Sequence, residues 1–550
     1  MSNIIKLFED RIEEVNIKKN FEKERLIKSY KIINDLFNNE VKINYINDEI
    51  VDILSSINLD ENNYDVEIEK LKVINWEEFK KLEKFKIKKP KIYNNFVLFV
   101  KKELGLIEKI ENSLFNKREK FNIELKNKEV AKKFNVDIVF DYNKEPKKLS
   151  VNDFILYFNR RLDYFYGLLK NRVNIERVIK ISKLVDFPKN EVVDIIGLVN
   201  EIRETKKGYI LEIQDKTGGI KCFVNKENQE LMNIISNLCY DEGVAIKGRN
   251  GDNIIWVEDI IIPTLSNFQE NKFYDKDVYS IFISDTHFGS KVFIDDAFQK
   301  FLDFLNSNTN DEKLNLIAKK VKYVFIAGDV IEGIGIYPDQ GKDVRIMSTE
   351  LQYHEAARWL SQIPEDKCII IIPGNHDTCR LSEPQLKISY DKAYPIYNMP
   401  NTIILSNPSI VNILRNETFP GFEIYLYHGG SLFYYGSENQ KLREKGGVKN
   451  PNEVVKFLLE KRHLAPSHGS TLYYPDLESD PLVIKKLPDF FVLGHTHKLD
   501  VSKYKNTFIF SCGCWVEMSD YQEKQGMYPD PARAILVNLK TKKVNILKFR

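Results

Sequence analysis

The chain contains 550 residues, of which 43% are hydrophobic and 29% charged, with a formal net charge of +2. This length suits two to four globular domains, and the near-neutral balance excludes nucleic-acid binding through overall positive charge, so such binding would need a local basic surface. No apolar run reaches membrane-spanning length, and the opening residues form a charged amphipathic pattern rather than a signal peptide. We therefore expect a cytoplasmic protein without membrane contact.

The six cysteines of the chain form no CxxC pair. We therefore expect no disulfide framework. Cys512 and Cys514 are too close together for an ordinary zinc pair, and we expect them to fill a strand or a loop.

Residues 1–145 are predicted to form a helical N-terminal region that ends in a linker. Apolar residues recur there at helical spacing, as at Ile5, Phe8, Ile12 and Val15, which favours amphipathic helices. Two interpretations stay open for this region: a docking module, or a charged helical extension without chemistry.

Connecting helices are predicted over residues 146–188. Ser150 is a suitable N-cap for a helix that continues through FILYFNRRLDYFYGLLKNR. The aromatic residues of this helix are expected to pack in the interior rather than to stack on nucleotides. Its basic residues are expected to face solvent: Arg160, Arg161, Lys170 and Arg172.

From residue 189 to 265 the pattern changes to five short strand-like runs, with a helical stretch between the third and the fourth. Five strands with a helix in that place are typical of an oligonucleotide-binding (OB) barrel. Basic residues interleaved with aromatic ones could bind a single strand of DNA there; the candidates are Lys207, Lys221, Lys247 and Arg249. The alternative is that the barrel packs against a partner subunit.

Residues 276–550 alternate apolar strands with helices, which predicts an α/β domain with its ligand site at the carboxyl ends of the strands. Five of these strands end in polar side chains that together form one set of metal-ligand type. These residues are Asp285, His287, Asp329, Asn375, His376, His428, His495 and His497. Five of the eight histidines of the chain belong to this set, which is hard to attribute to chance.

The chemistry of this set suits divalent cations. Carboxylate oxygen combined with imidazole nitrogen favours Mn²⁺, Fe²⁺ or Zn²⁺. A bridging carboxylate flanked by such ligands suits two metals roughly 3.5–4 Å apart, which can activate a water and neutralise a phosphate under attack.

The motifs DTH, GD, GNHD, HGG and GHTH, in this order, resemble the calcineurin-like metallophosphoesterase superfamily. The segments GDVIEGIGIYPDQ, RHLAPSHG, IIGLVNEIRETKKGYILEIQDKTG and SDYQEKQGMYPDP narrow the resemblance to the small subunits of the archaeal family D DNA polymerases, over roughly residues 150–550. The resemblance implies a β-sandwich flanked by helices over 276–550, preceded by the OB barrel and the helical N-terminal region. It also implies a heterodimer with a large catalytic subunit, and single-stranded or primer-template DNA as substrate.

Carried over by motif, the resemblance assigns one metal, with Mn²⁺ favoured and Fe²⁺, Zn²⁺ or Mg²⁺ as alternatives, to Asp285, His287, Asp329 and His497. It assigns a second metal to Asp329, Asn375, His428 and His495. Asp329 then bridges the two metals, and His376 acts on the leaving 3′ oxygen as general acid or transition-state stabiliser. Asp377 is expected either to orient His376 or to hold the turn.

Three functions are open on the sequence. The first is a metal-dependent 3′→5′ exonuclease that proofreads as the small subunit of a replicative polymerase. The second is a structural subunit with an idle site, and the third is a free-standing nuclease or phosphoesterase of the same superfamily. For four further residues we expect structural roles: His354 on a helix surface or in packing, His463 and His468 in a structural loop, and Trp515 in the core.

Overall fold

The computed structural model describes residues 124–172, 175, 177–264 and 271–550. All of them belong to one compact unit, Arg118–Arg550. The helices predicted for the first 123 residues lie outside the described residues.

Five strands form a closed barrel in the order β2-β3-β4-β6-β5, with β5 pairing back onto β2. Alternate residues such as Leu211, Ile213 and Val224 fill its interior, and Asp215 accepts the backbone N–H groups of Thr217 and Gly218 in the β3–β4 turn. The barrel elements are β2 (Val192–Glu204), β3 (Gly208–Asp215), β4 (Gly218–Asn225), helix α3 (Gln229–Ile235), β5 (Gly243–Asn250) and β6 (Ile254–Ile261).

The larger domain is built on two six-stranded sheets. One sheet has the order β10-β9-β8-β7-β16-β17, in which β7 to β10 run parallel. Its strands are β7 (Tyr279–Ile283), β8 (Val321–Ala327), β9 (Cys368–Ile372), β10 (Thr402–Ile404), β16 (Arg533–Asn538) and β17 (Val544–Lys548).

The second sheet has the order β1-β11-β12-β13-β15-β14, in which β12, β13 and β15 run parallel. Its strands are β1 (Val136–Asp141), β11 (Ser409–Ile413), β12 (Phe422–Leu426), β13 (Phe490–Leu493), β14 (Leu499–Tyr504) and β15 (Thr507–Cys512). Phe282 and Phe325 of the first sheet meet Phe490 and Phe510 of the second in a fully buried core between the sheets.

Helices cover the outer faces of both sheets, so the domain is a β-sandwich flanked by helices. One buried cluster joins the first sheet to α4, α6 and α7, and another joins the second sheet to α8 and α10. The helices are α1 (including 124–134), α2 (Val151–Leu169), α4 (Asp295–Leu305), α5 (Glu312–Ala318), α6 (Thr349–Leu360), α7 (Tyr390–Tyr397), α8 (Leu432–Glu438), α9 (Gln440–Glu444), α10 (Pro451–Lys461) and α11 (Asp520–Lys524). Within the described residues, no helix combines the length and the apolar character that crossing a bilayer requires.

Strand β1 differs from the sequence-based expectation, which gave residues 1–145 to helices and a linker. Residues 136–141 instead form an edge strand antiparallel to β11. The alternation of Val136, Ile138 and Phe140 with Asp137 and Val139 is a period-two pattern, and it was hidden behind the helical spacing of the preceding residues.

Helix α2 begins as predicted, because Ser150 and Asp153 form a reciprocal capping box at its N-terminus. The expected solvent exposure of Arg161 was wrong. This guanidinium is buried and pairs with Asp480 at 2.7 Å, so α2 is attached to the sandwich. A second buried ion pair, Lys461 with Glu242 at 3.0 Å, attaches the barrel to the sandwich.

Candidate metal centre

The residues predicted as ligands all follow the carboxyl ends of parallel strands in the two sheets. Five of them have left-handed backbone conformations: Asp285 (φ 50°), His287 (φ 48°), Asp329 (φ 50°), His495 (φ 68°) and His497 (φ 55°). A residue other than glycine adopts this conformation at a cost of order 1–3 kcal/mol, and such strain collects at functional sites. The strand-end turns therefore aim these side chains into a common cleft.

Two glycines allow the turns to approach the carboxylates closely. A Cβ atom at Gly374 would lie 2.1 Å from the Asp329 carboxylate, and one at Gly494 would lie 2.4 Å from that of Asp285. Any side chain at either position would displace a carboxylate. The glycines of the GNHD and GHTH motifs are thus needed for the shape of the site.

Asp285, His287 and His497 form the first group of potential ligands. The Nε2 atoms of the two imidazoles are 3.0 Å apart, and the Asp285 Oδ1 atom lies 3.4 Å from His497 Nε2 and 3.9 Å from His287 Nε2. Two ring nitrogens and a carboxylate oxygen thus converge on one point, as a cation would require.

Asp329, His428 and His495 form the second group. His428 Nε2 lies 3.3 Å from Asp329 Oδ2 and 3.1 Å from the amide oxygen of Asn375. Asp329 Oδ2 is also 3.9 Å from His287 Nε2 in the first group. The carboxylate of Asp329 therefore lies between the two groups.

The electrostatics of the groups depend on these contacts. Burial raises the pKa of Asp329, but the neighbouring imidazoles of His428 and His376 outweigh it and hold that pKa well below its ordinary value. Burial lowers the pKa of His428, yet the carboxylates of Asp329 and Asp285 raise it to about 9. For His495, burial and the charge of His428 lower the pKa to about 3.

Among the described residues, no lysine or arginine forms an ion pair with Asp285 or Asp329. Without a lysine or arginine, the charge of the two buried carboxylates must be balanced by the imidazoles or by a bound cation. The two groups together with Asn375 make seven candidate ligands. Their side chains offer oxygen and imidazole nitrogen, the donor set of Mn²⁺, Fe²⁺ and Zn²⁺. The residues therefore fit a pair of divalent cations that would complete the charge balance of the site.

His376 lies at the edge of the cleft. Its backbone N–H donates to Asp329 Oδ1 at 2.8 Å, and its ring Nδ1 lies 2.6 Å from the backbone oxygen of Glu332. Since a carbonyl can only accept, Nδ1 carries the proton and Nε2 is free to face the cleft. Burial is the main reason why the pKa of His376 is lowered.

The carboxylate of Asp377, next to His376 in the chain, accepts several hydrogen bonds from the surrounding segments. It accepts the backbone N–H groups of Gly374 (2.9 Å) and Val330 (3.1 Å) and the hydroxyl of Tyr353 (3.0 Å). Burial and the nearby charge of Asp329 raise the pKa of Asp377 to about 6. The structure has no hydrogen bond between Asp377 and the His376 ring, so of the two roles considered for Asp377 it favours holding the turn over orienting His376.

The sequence did not single out several other residues that line the cleft, which has a volume of 310 Å³. Glu332 contacts the rings of His287 and His376, and Gln522 lies 2.8 Å from His497 Nδ1. Tyr337 and Tyr521 stack at a centroid distance of 4.7 Å in the cleft wall. Their segments, GDVIEGIGIYPDQ and SDYQEKQGMYPDP, were noted as motifs, but no chemistry could be assigned to single residues in them.

The remaining histidines are separate from the cleft. His463 is buried and donates to Asp480 at 2.8 Å, His468 bonds the Tyr473 hydroxyl, and His354 on α6 bonds the Tyr394 hydroxyl. Trp515 is fully buried, as expected.

The four basic residues of the barrel that the sequence offered as DNA-binding candidates do not form one basic patch, because two of them lie beside acidic residues. Arg249 pairs with Glu258 at 2.8 Å, and Lys247 lies in register with Asp194 and Asp259 on the adjacent strands. Lys207 and Lys221 are exposed. The exposed Trp256 packs edge-on against Phe223. DNA binding by these residues stays a prediction.

The chain is similar to known proteins both in its sandwich domain and over most of its length. A family model described as calcineurin-like phosphoesterase matches residues 280–499. The DNA polymerase II small subunit of Methanothermobacter thermautotrophicus is 34% identical over 408 residues, which cover 74% of this chain and 81% of the relative. The protein of the same description from Pyrococcus furiosus is 33% identical over 430 residues (75% and 68%), and that from Halobacterium salinarum is 34% identical over 401 residues (72% and 75%).

Identity of this level extends over most of each relative and well beyond the phosphoesterase motifs. The resemblance inferred from the motifs is confirmed. The chain belongs to the family of archaeal DNA polymerase II small subunits, and its candidate metal centre lies in a calcineurin-like phosphoesterase domain.

Proposed function

We propose that the chain is a 3′→5′ exonuclease that removes nucleotides from single-stranded or frayed DNA ends, as the proofreading small subunit of a heterodimeric polymerase. The observation that carries the proposal is the convergence of both ligand groups on one cleft, with His376 at its edge. The strained ligand turns, and two buried carboxylates that have no lysine or arginine partner among the described residues, favour this function over a subunit with an idle site.

In this proposal two divalent cations, Mn²⁺ in the first place, occupy the centre. One would be held by Asp285, His287, Asp329 and His497, and the other by Asp329, Asn375, His428 and His495. When bound, such a pair lowers the pKa of a water and neutralises the phosphate under attack.

The other steps belong to the protein's own side chains. The Glu332 carbonyl accepts a hydrogen bond from the Nδ1–H group of His376. In the protonated ring the second proton lies on Nε2, from which it can pass to the leaving 3′ oxygen. Asp377 keeps the GNHD turn against β8 through its bonds to Gly374 and Val330.

The barrel supports a role in a DNA-handling assembly. We propose that it is an OB fold, since five strands close in the order β2-β3-β4-β6-β5 and α3 lies between β4 and β5. The polymerase chemistry itself would reside in the large subunit. The domain limits 1–145, 146–188, 189–265 and 276–550 are part of this proposal.

The proposal is tested by digestion of a 5′-labelled single-stranded oligonucleotide with Mn²⁺ or with chelator. We expect a ladder that shortens from the 3′ end, disappears with chelator, and falls by about 10²–10⁴-fold in His376→Ala, the range of general acid catalysis. His354→Ala is the matched control, because this histidine lies on α6 and, among the described residues, hydrogen-bonds the Tyr394 hydroxyl. Absence of digestion, even after addition of the large subunit, would favour a structural subunit.

A further inference from the structure

Glu332 is a buried carboxylate, 4% exposed, three residues after Asp329 in the chain. It contacts two histidines that come from different loops, His287 after β7 and His376 after β9. Glu332 is not one of the seven candidate ligands, so its contacts with two histidines of the site indicate a different role.

The side chain of Glu332 faces the rear of the His287 ring. Its Oε2 atom lies 3.3 Å from His287 Nδ1. That Nδ1 atom is buried and has no well-aligned hydrogen bond to any described residue, so the carboxylate is the acceptor to which a small ring rotation would direct its proton. The opposite nitrogen of the ring, Nε2, faces His497 and Asp285 in the first ligand group.

The rest of Glu332 is fixed from the other side. Its Oε1 atom accepts hydrogen bonds from Gln340 (2.9 Å) and Tyr337 (3.3 Å). Its backbone oxygen accepts from Gln340 Nε2 at 2.9 Å and lies 2.6 Å from His376 Nδ1. The loop 333–343 thus holds Glu332, and Glu332 touches both histidines.

We propose that Glu332 is a positioning residue of the metal centre. Its carboxylate keeps the proton of His287 on Nδ1, so that Nε2 presents a lone pair to the cation; its backbone carbonyl holds the Nδ1–H group of His376, so that Nε2 of that ring faces the substrate. Metal-ligating histidines commonly have such a carboxylate partner, whose loss typically weakens metal affinity 10–100-fold. The part concerning His376 rests on the proposed nuclease function, whereas the part concerning His287 requires only that metal binds.

The contacts of Glu332 allow a positioning role to be distinguished from a merely structural one, because the first affects metal affinity and the second affects thermal stability. Substitution of the Glu332 side chain removes the partner of His287 but leaves the carbonyl that holds His376. The substitution should therefore weaken metal binding at the site that contains His287, while the ring of His376 keeps its backbone partner. A residue that only stabilised the loop would lower thermal stability and leave the metal affinity of the folded protein unchanged.

The experiment is a Mn²⁺ titration of the full chain, with free Mn²⁺ followed by electron paramagnetic resonance. For Glu332→Gln we expect 10–100-fold weaker binding at one of the two sites and unchanged binding at the other. Glu355→Gln is the matched control; it removes a carboxylate of the same domain that bonds Arg358 and Trp359 on α6. Its Mn²⁺ affinities should equal those of the unsubstituted chain.

Glu332→Asp serves as the second variant in case the glutamine variant does not fold. It keeps the charge but withdraws the carboxylate by one methylene, so a smaller loss at the same site is expected. Wild-type Mn²⁺ affinities in a folded Glu332 variant would overturn the proposal. Absence of DNA digestion by the unsubstituted chain would overturn the nuclease function alone, because the Mn²⁺ titration requires no substrate.

Discussion

Two buried clusters of aspartate and histidine lie in the sandwich domain, and their charges are balanced in different ways. The first, which we call the metal-site cluster, consists of the seven candidate ligands: Asp285, His287, Asp329, Asn375, His428, His495 and His497. The second, which we call the joint cluster, consists of Tyr157, Arg161, His463 and Asp480, and it attaches α2 to the sandwich. The joint cluster is buried, and so are Asp285, His287, Asp329 and His428 of the metal-site cluster, so burial alone does not distinguish a functional site from a structural one.

In the joint cluster every group has a partner within the protein. Asp480 accepts from Arg161 (2.7 Å), His463 (2.8 Å) and Tyr157 (2.8 Å). The backbone N–H of Ala465 donates to His463 Nδ1, so His463 is neutral and its Nε2 proton points to Asp480. One arginine and one carboxylate balance each other, and no further cation is needed.

In the metal-site cluster the balance is incomplete. The Nε2 atoms of His287 and His497 face each other, and the carboxylates have only imidazoles as charged partners among the described residues. The two clusters therefore differ in charge balance: lone pairs converge in the candidate metal site without a lysine or arginine partner among the described residues, whereas Asp480 pairs with Arg161.

Replacement of Asp329 by Ala should have the largest effect. It removes the carboxylate between the two ligand groups, so we expect Mn²⁺ stoichiometry to fall below two and exonuclease activity to fall to background. Calorimetric titration and the digestion assay measure both quantities. Two Mn²⁺ ions still bound in this variant would contradict the bridging role of Asp329.

Replacement of Arg161 by Met should affect folding rather than metal binding. It leaves the buried Asp480 carboxylate without its cation, which costs about 3–5 kcal/mol of unfolding free energy. The folded variant should bind Mn²⁺ with unchanged stoichiometry. Denaturant unfolding measures the first quantity and titration the second; unchanged stability would mean that the joint cluster does not hold α2.

The joint cluster should also make stability depend on acid pH. Burial raises the pKa of Asp480, but His463 and Arg161 outweigh it and hold that pKa well below its usual range. A carboxylate whose pKa is depressed on folding contributes stability that is fully present above its unfolded pKa of about 3.9. This stability is lost as the pH falls towards the folded pKa, by about 1.4 kcal/mol per pH unit.

Unfolding free energies of the natural chain and of Asp480→Asn, measured from pH 7 to pH 2, test this dependence. The advantage of the natural chain over the variant should stay constant down to about pH 4 and shrink below it. A difference that grows on acidification would have the wrong sign for a depressed carboxylate pKa.

The sequence predicts much of the metal-site cluster because each of its residues follows a short apolar strand. Strand, turn and ligand are local features, and the motifs are contiguous. The five strands of the barrel and the N-cap Ser150 were predictable for the same reason. Glu332 was not, because its role depends on how the loop 333–343 folds back onto His287.

Arg161 shows the limit most clearly. On an amphipathic helix a basic residue is expected to face solvent. Arg161 is buried instead because Asp480, 319 residues away in the chain, pairs with it. Strand β1 was missed for a related reason, since its partner β11 lies far along the chain and the local signal is six residues long. Contacts between distant segments are what the sequence pattern does not contain.

Two cations should complete the metal-site cluster, whereas the joint cluster needs none. Anomalous diffraction from crystals of the protein soaked in Mn²⁺ tests this directly. The account predicts two anomalous peaks, one among Asp285, His287 and His497 and one beside His428 and His495, with Asp329 contacting both and no peak at Asp480. A single peak, or none in the cleft, would contradict it.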